Sequence, residues 1–248
     1  MSHIRDLSKR FHHFEALAAA EALAAAAPEN RDLLYLIAAN QRCLNRIHEA
    51  LETLQRLEQQ HPRFSLLHQE RGYCHVTLRD TRRAIESFVR AVNLNPALAA
   101  SWTLLERLYG MAGDVKNAAT AAAQLSALQQ LPSDIVRAGS LFSDGDLNAA
   151  ENALRAYLRN AGDHVEALRL LARIEQQRNV LDEAEALLQA AVQLEPSYRA
   201  ARLDYAHVLI DRQKYLRARS PRWPGETRTR QPRLSAAVRS RVCRPGTE

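Results

Sequence analysis

Glycine and proline are scarce in this chain, 8 and 9 of 248 residues, and aromatic residues make up only 6%. Sandwiches and barrels need turn residues about every ten positions and aromatic or β-branched strands between them. That scarcity excludes them, and a doubly wound sheet with them. Cysteine is also rare: Cys43, Cys74 and Cys243 are odd in number and show no C-x-x-C spacing. No disulfide framework or zinc knuckle follows, and a reducing, cytoplasmic compartment is expected. No run of about 18 or more apolar residues occurs, which excludes a spanning helix of that kind. Arg5, Lys9 and Arg10 before ALAAAEALAAAAP superficially resemble an export leader, but Glu15 and Glu21 interrupt its apolar stretch.

The residues of several chemistries are missing too. Gly110-Met111-Ala112-Gly113 ends one helix and starts a turn, and is neither a Walker loop nor G-x-G-x-x-G. Ser143 and Gly145 lack the first glycine of a nucleophile elbow. His68, Cys74 and His75 share one helix, yet without carboxylate ligands or a matching helix they read as packed side chains rather than a metal cluster. Paired acids such as Glu183 and Glu185 belong to solvated faces. No catalytic, cofactor or metal site is expected. The net charge of +6 is local: residues 217–248 hold nine arginines against Glu226 and Glu248, while the rest carries 25 basic and 26 acidic residues. A near-neutral body argues against a nucleic-acid footprint on the fold, since an Arg-rich tail binds polyanions without selectivity.

What is abundant is alanine, 42 residues, and it keeps a period. Pro28, Pro62 and Pro96 are 34 apart, and Ala16, Ala50, Ala84, Ala118, Ala150, Ala184 and Ala218 run at 34, 34, 34, 32, 34 and 34. Ile47, Thr81, Val115, Leu147, Leu181 and Tyr215 repeat the same intervals. Each unit must be a helix, a tight turn, a second helix and a short link. In the unit 65–98 the helices are expected at about 66–78 and 81–94, the second ending at Asn95-Pro96. Asn45, Gly113, Gly145 and Asn179 suit the left-handed residue that closes a first helix. The column alanines are small because paired helices approach there, and Leu54, Phe88, Ala122, Leu154 and Leu188 lie one turn on along the same face.

Gly72, Ala84, Phe88, Ala91 and Pro96, followed by Trp102, Leu105, Tyr109, Ala118 and Leu125, resemble the tetratricopeptide repeat over about residues 10–218. The fold expected is all-α, a right-handed superhelical solenoid of antiparallel helix pairs. Its divisions are an N-terminal helix or partial first repeat over 1–30, five repeats at 31–64, 65–98, 99–132, 133–164 and 165–198, and an incomplete sixth over 199–218. Glu106 stands where a small residue is usual, and the first helix of the short unit, around Pro132 to Ser143, is expected to be irregular. The resemblance implies a concave groove, lined by first helices, that binds peptides or protein surfaces. The helical wheel puts Tyr35, Arg42, Gln69, Tyr73, Arg107, Arg169, Arg173 and His207 on that face. The Lys/Asn pattern that grips a C-terminal carboxylate in chaperone-binding members is absent there. Tyr and Arg suit acidic or aromatic peptide groups, or serve only to solvate the face.

The sixth unit keeps register to Tyr215 and Ala218 and then meets Pro221, Pro224 and Gly225. Each proline costs about 3 kcal/mol inside a helix. The Arg/Pro-rich segment 219–248 reads as a disordered tail, a nucleic-acid arm or a frame-shifted end, and the mid-helix break favours the last. Without a capping helix, the face around Leu203, Tyr205 and Leu209 is expected to stay partly open and to give weak self-association through 199–218. Beyond the repeat itself, PENRDLLYLIAANQRCLNRIHEAL, AVNLNPALAASWTLLERLYGMAGD, LFSDGDLNAAENALRAYL, HVEALRLLARI and RAARLDYAHVLIDRQKY resemble the N-terminal arm of bacterial tetratricopeptide-repeat sulfotransferases. That resemblance implies a parent using 3′-phosphoadenylyl sulfate, but the family's phosphate loop has no counterpart here. The expected function is a protein-interaction module, the arm of such a parent or a free-standing adaptor, with no membrane partner.

Overall fold

The computed structural model describes residues 2–219, and all regular structure among them is α-helical. The expected tail, from residue 220 on, lies outside the described residues. The chain divides into two compact units, Met1–Leu131 and one beginning at Pro132. The first holds α1 (Ser2–Lys9), α2 (His13–Ala24), α3 (Arg31–Cys43), α4 (Ile47–Gln60), α5 (Ser65–Thr77), α6 (Thr81–Leu94), α7 (Ala99–Met111) and α8 (Val115–Gln129). The second holds α9 (Ser133–Ser143), α10 (Leu147–Ala161), α11 (Val165–Gln177), α12 (Leu181–Leu194) and α13 (Arg199–Arg219).

Within each unit consecutive helices pack in antiparallel pairs, and first helices also touch first helices: α1 on α3 on α5, and α9 on α11 on α13. Residues 1–30, read from sequence as a partial repeat, contain the full pair α1–α2. The pairs are closed by one repeated corner. Phe11, Asn45, Arg79, Gly113, Gly145 and Asn179 all have positive φ, between 58° and 85°. At each, the next residue donates its N–H to a carbonyl five back, as in Arg46 to Gln41 and Asp146 to Leu141, the six-to-one bond of a Schellman motif. At Phe11 and Arg79, which sequence reasoning passed over, an L side chain pays about 1–2 kcal/mol for this conformation. Asp80, Asp114 and Asp146 follow such corners directly and cap the next helix by accepting from the N–H groups of Arg83, Asn117 and Ala149.

Two expectations require correction. The first helix of the short unit is regular: α9 has 11 residues where α3, α5, α7 and α11 have 13, so this helix absorbs the shortening. Pro132 stands just outside it, where no helical N–H bond is lost. The sixth unit also does not turn near Tyr215; α13 runs unbroken to Arg219. Gln213 occupies the corner position, where an L side chain in the left-handed conformation costs about 1–2 kcal/mol.

The cores follow the alanine register. Ala16, Ala50, Ala84, Ala150 and Ala184 are fully buried, as are Leu54, Phe88, Leu154 and Leu188 one turn on. Burying each of these leucines and the phenylalanine stabilises by about 1.5–3 kcal/mol. Ala118 and Ala122 depart from the pattern and stay partly exposed, because α8 is alanine-rich and fully buries only Ala121. Gly72 marks a close helix approach: a Cβ there would lie 2.6 Å from the Phe88 ring.

Candidate functional site

In the first unit, α3 and α5 bring Tyr35, Arg42, Gln69 and Tyr73 into one cluster. Arg42 ion-pairs with Glu70, whose side chain is 4% exposed, and its guanidinium lies 5.1 Å from the centre of the Tyr73 ring. Gln69 is buried and donates Nε2–H to the Tyr73 hydroxyl at 3.1 Å. Tyr73 meets Phe88 edge-on at 5.5 Å, and Tyr35 meets Phe64 in the same way at 5.7 Å, with Arg31 over Phe64 at 4.7 Å. Burial raises the pKa of Glu70, which Arg42 only partly offsets; burial and then Glu70 raise that of Tyr35. For Arg42, burial works against the charge but Glu70 outweighs it and its pKa is raised. The cluster is therefore internally paired, and presents the Tyr73 and Arg42 surfaces rather than free charge.

In the second unit α11 carries Arg169 and Arg173 one turn apart. Arg169 is held on both sides, by a bidentate bond to Glu166 (2.7 Å twice) and by Asp204 of α13 at 2.8 Å. Tyr198 donates its hydroxyl to Glu166 at 2.6 Å, and burial followed by that carboxylate pushes the Tyr198 pKa up to about 12. Gln176 donates to Asp211 at 2.9 Å. Arg173 is partly buried, 4.8 Å from the centre of the Phe142 ring of α9, and has no ion-pair partner among the described residues.

Arg107 on α7 and His207 on α13 are exposed and join neither cluster. Sequence reasoning missed Phe64, Glu70, Phe142, Glu166, Tyr198 and Asp204. Except for Glu166, three residues before Arg169 on the same helix, their signal is a polar or aromatic residue roughly one repeat from a face arginine, as Glu70 is from Arg42 and Asp204 from Arg169. His68 and His75 are buried with Nδ1 unpaired in each, and no group of three His, Cys, Asp or Glu among the described residues could hold a metal. Burial pushes the Cys74 thiol up to about 12, leaving it unreactive. All regular structure among the described residues is helical, so they hold no strand–loop–helix phosphate cradle. No helix among them is long and apolar enough to cross a membrane.

Residues 67–98 match the tetratricopeptide repeat family model. The chain contains a tetratricopeptide repeat. That segment covers most of α5 and all of α6, and the corner geometry of this repeat recurs in the pairs before and after it. The fold is thus an all-α array of helix pairs of the tetratricopeptide kind. No curated protein matches the sequence. Among solved structures, a complex of Naa15 and Naa10 bound to HypK-THB is similar at 18% identity and TM-score 0.48, over 88% of this chain. The chain spans only 34% of the length of that protein. A thermophilic tetratricopeptide-repeat protein of Thermus thermophilus is similar at 20% identity and TM-score 0.43, over 85% of this chain and 97% of its own. PilF of Pseudomonas aeruginosa is similar at 14% identity and TM-score 0.48, over 85% of this chain and 95% of its own.

Proposed function

We propose that this tetratricopeptide-repeat chain is a protein-interaction module that binds a peptide or protein segment along its first helices. One observation carries the reading. All three arginine–aromatic stacks among the described residues, Arg31 on Phe64, Arg42 on Tyr73 and Arg173 on Phe142, involve first helices or their caps. Arginine and tyrosine held in this way are already ordered, so a partner gains contact area at small entropic cost. A photo-crosslinker at Arg107 or His207, exposed on first helices, is expected to capture a partner. The same group at Arg82 on α6 is expected to capture none, and Tyr73→Ala with Arg173→Ala to abolish capture. Equal capture from Arg82 refutes the reading.

Two finer readings go with it. The sequence resemblance supports a free-standing adaptor or the arm of a sulfotransferase-like parent. Translating the other two frames beyond Ala218 separates them, since a parent requires a downstream phosphate loop and transfer from 3′-phosphoadenylyl sulfate by its product. A cytoplasmic site of action suits the free thiols of Cys43 and Cys74, and recovery in an exported fraction would contradict it. Leu203, Leu209 and Ile210 on α13 are 50%, 40% and 50% exposed, which supports weak self-association through that end. A sedimentation coefficient independent of concentration would refute that contact.

A further inference from the structure

Arg173 differs from every neighbouring charge in the second unit. Arg169, one turn before it, has its guanidinium saturated by Glu166 and Asp204. Glu166 is fixed in turn by the Tyr198 hydroxyl, and Asp211 is engaged by Gln176, so none of these acids is free to swing toward Arg173. Arg173 therefore rests partly buried on Phe142 and makes no ion pair with any carboxylate among the described residues. Burial and then the nearby Arg169 work against its charge, and Asp204 and Glu166 offset them only in part. A partly buried cation without a direct ion-pair partner is costly, and an incoming anion relieves the cost.

The surroundings limit which anion fits. The Arg173 Cζ lies over the Phe142 ring, and the planar N–H fork of a guanidinium matches a carboxylate bidentately. Glu166 and Asp204 lie close enough to act on Arg173, and they repel a doubly charged phosphate more strongly than a singly charged carboxylate. The packing of α11 on both α9 and α13 puts this residue midway along the first-helix face of its unit. We propose that Arg173 is the anchor for a single carboxylate of a bound peptide, received over Phe142. This assignment rests on the peptide-binding reading above and names the chemistry of the partner, either an Asp or Glu side chain or a chain terminus.

The test is a random linear dodecapeptide library panned on the full chain. Selected peptides are resynthesised with free and with amidated C-termini, and their affinities are measured for the wild type, Arg173→Gln, Arg173→Met, Arg82→Gln and Tyr73→Ala. The expected result is enrichment in acidic residues or dependence on the free terminus. Arg173→Gln and Arg173→Met should each weaken binding about tenfold or more and flatten its salt dependence, while Arg82→Gln on α6 leaves it unchanged. Amidation distinguishes terminal from side-chain carboxylates. Both Arg173 variants should keep the wild-type helical signal and urea midpoint, because no internal ion pair is lost; marked destabilisation would make Arg173 a structural residue and overturn the assignment. Peptides without acids, or bound equally by the Arg173 variants but lost with Tyr73→Ala, overturn the carboxylate anchor alone. Peptides indifferent to every first-helix substitution, or no selected peptide at all, overturn the binding reading as well.

Discussion

Gly72→Ala tests how closely the helices of one repeat are fitted. A methyl group there would sit 2.6, 2.7 and 2.8 Å from the Cε1, Cζ and Cδ1 atoms of Phe88, against about 3.5–4.0 Å for ordinary carbon contact. The ring must retreat by roughly 1 Å. It has no room to do so: Phe88 is fully buried, among Ala84, Val92, Leu105 and Leu108, and braced edge-on by Tyr73. Overpacking of this kind costs about 1–3 kcal/mol. Alanine regains up to about 1 kcal/mol of helix propensity over glycine, so the net loss should be about 1–2 kcal/mol. Urea denaturation followed by helical circular dichroism reads this directly. The same substitution made on a Phe88→Leu background should reverse sign and stabilise by up to about 1 kcal/mol, because the clash is gone and the propensity gain remains. A Gly72→Ala variant as stable as the wild type, or one that destabilises equally with Leu at 88, refutes the reasoning.

Two further outcomes follow from buried charge. Burial lowers the pKa of His68 and of His75, each with an unpaired Nδ1, whereas the unfolded chain titrates them near 6.5. The unfolded state thus binds more protons just below that value, so stability is full above about pH 6.5 and declines as the pH falls through it. The urea midpoint of the wild type should drop more between pH 7.5 and 5.5 than that of His68→Gln/His75→Gln; parallel declines would refute this. Arg42→Met strands the Glu70 carboxylate in the core, at a cost of about 3 kcal/mol given that Arg42 is itself 26% exposed. The loss should shrink on acidification, since burial already raises the Glu70 pKa, and Arg42→Met/Glu70→Met should recover most of it. An Arg42→Met loss independent of pH would show that the ion pair is not its source.

The fold was legible because its strictest demand falls on the smallest side chain. Where two helices touch at Ala50, Ala84 or Ala184 nothing larger fits, so the register shows in the letters themselves. Corners were half legible. Asn45, Gly113, Gly145 and Asn179 advertise a left-handed residue, whereas Phe11 and Arg79 adopt it against their own preference, and only tertiary packing compels them. Tyr35, Arg42, Gln69 and Tyr73 were recognisable from helical spacing as one face. Their partners were not, because an apolar period carries no information about which acid, Glu70 or Asp204, reaches which arginine. The length of α13 was hidden for a related reason: a periodic sequence indicates where a corner should fall but not whether a packed neighbour will enforce it.

The corner that closes each pair leaves almost no slack, since at Asp80, Asp114 and Asp146 the residue completing one helix's closing bond also caps the next helix. An inserted residue would uncouple both tasks at once, so these three hairpins behave as stiff levers with welded elbows. Whatever adjustment a partner demands falls to the links between hairpins, 61–64, 95–98, 162–164 and 195–198.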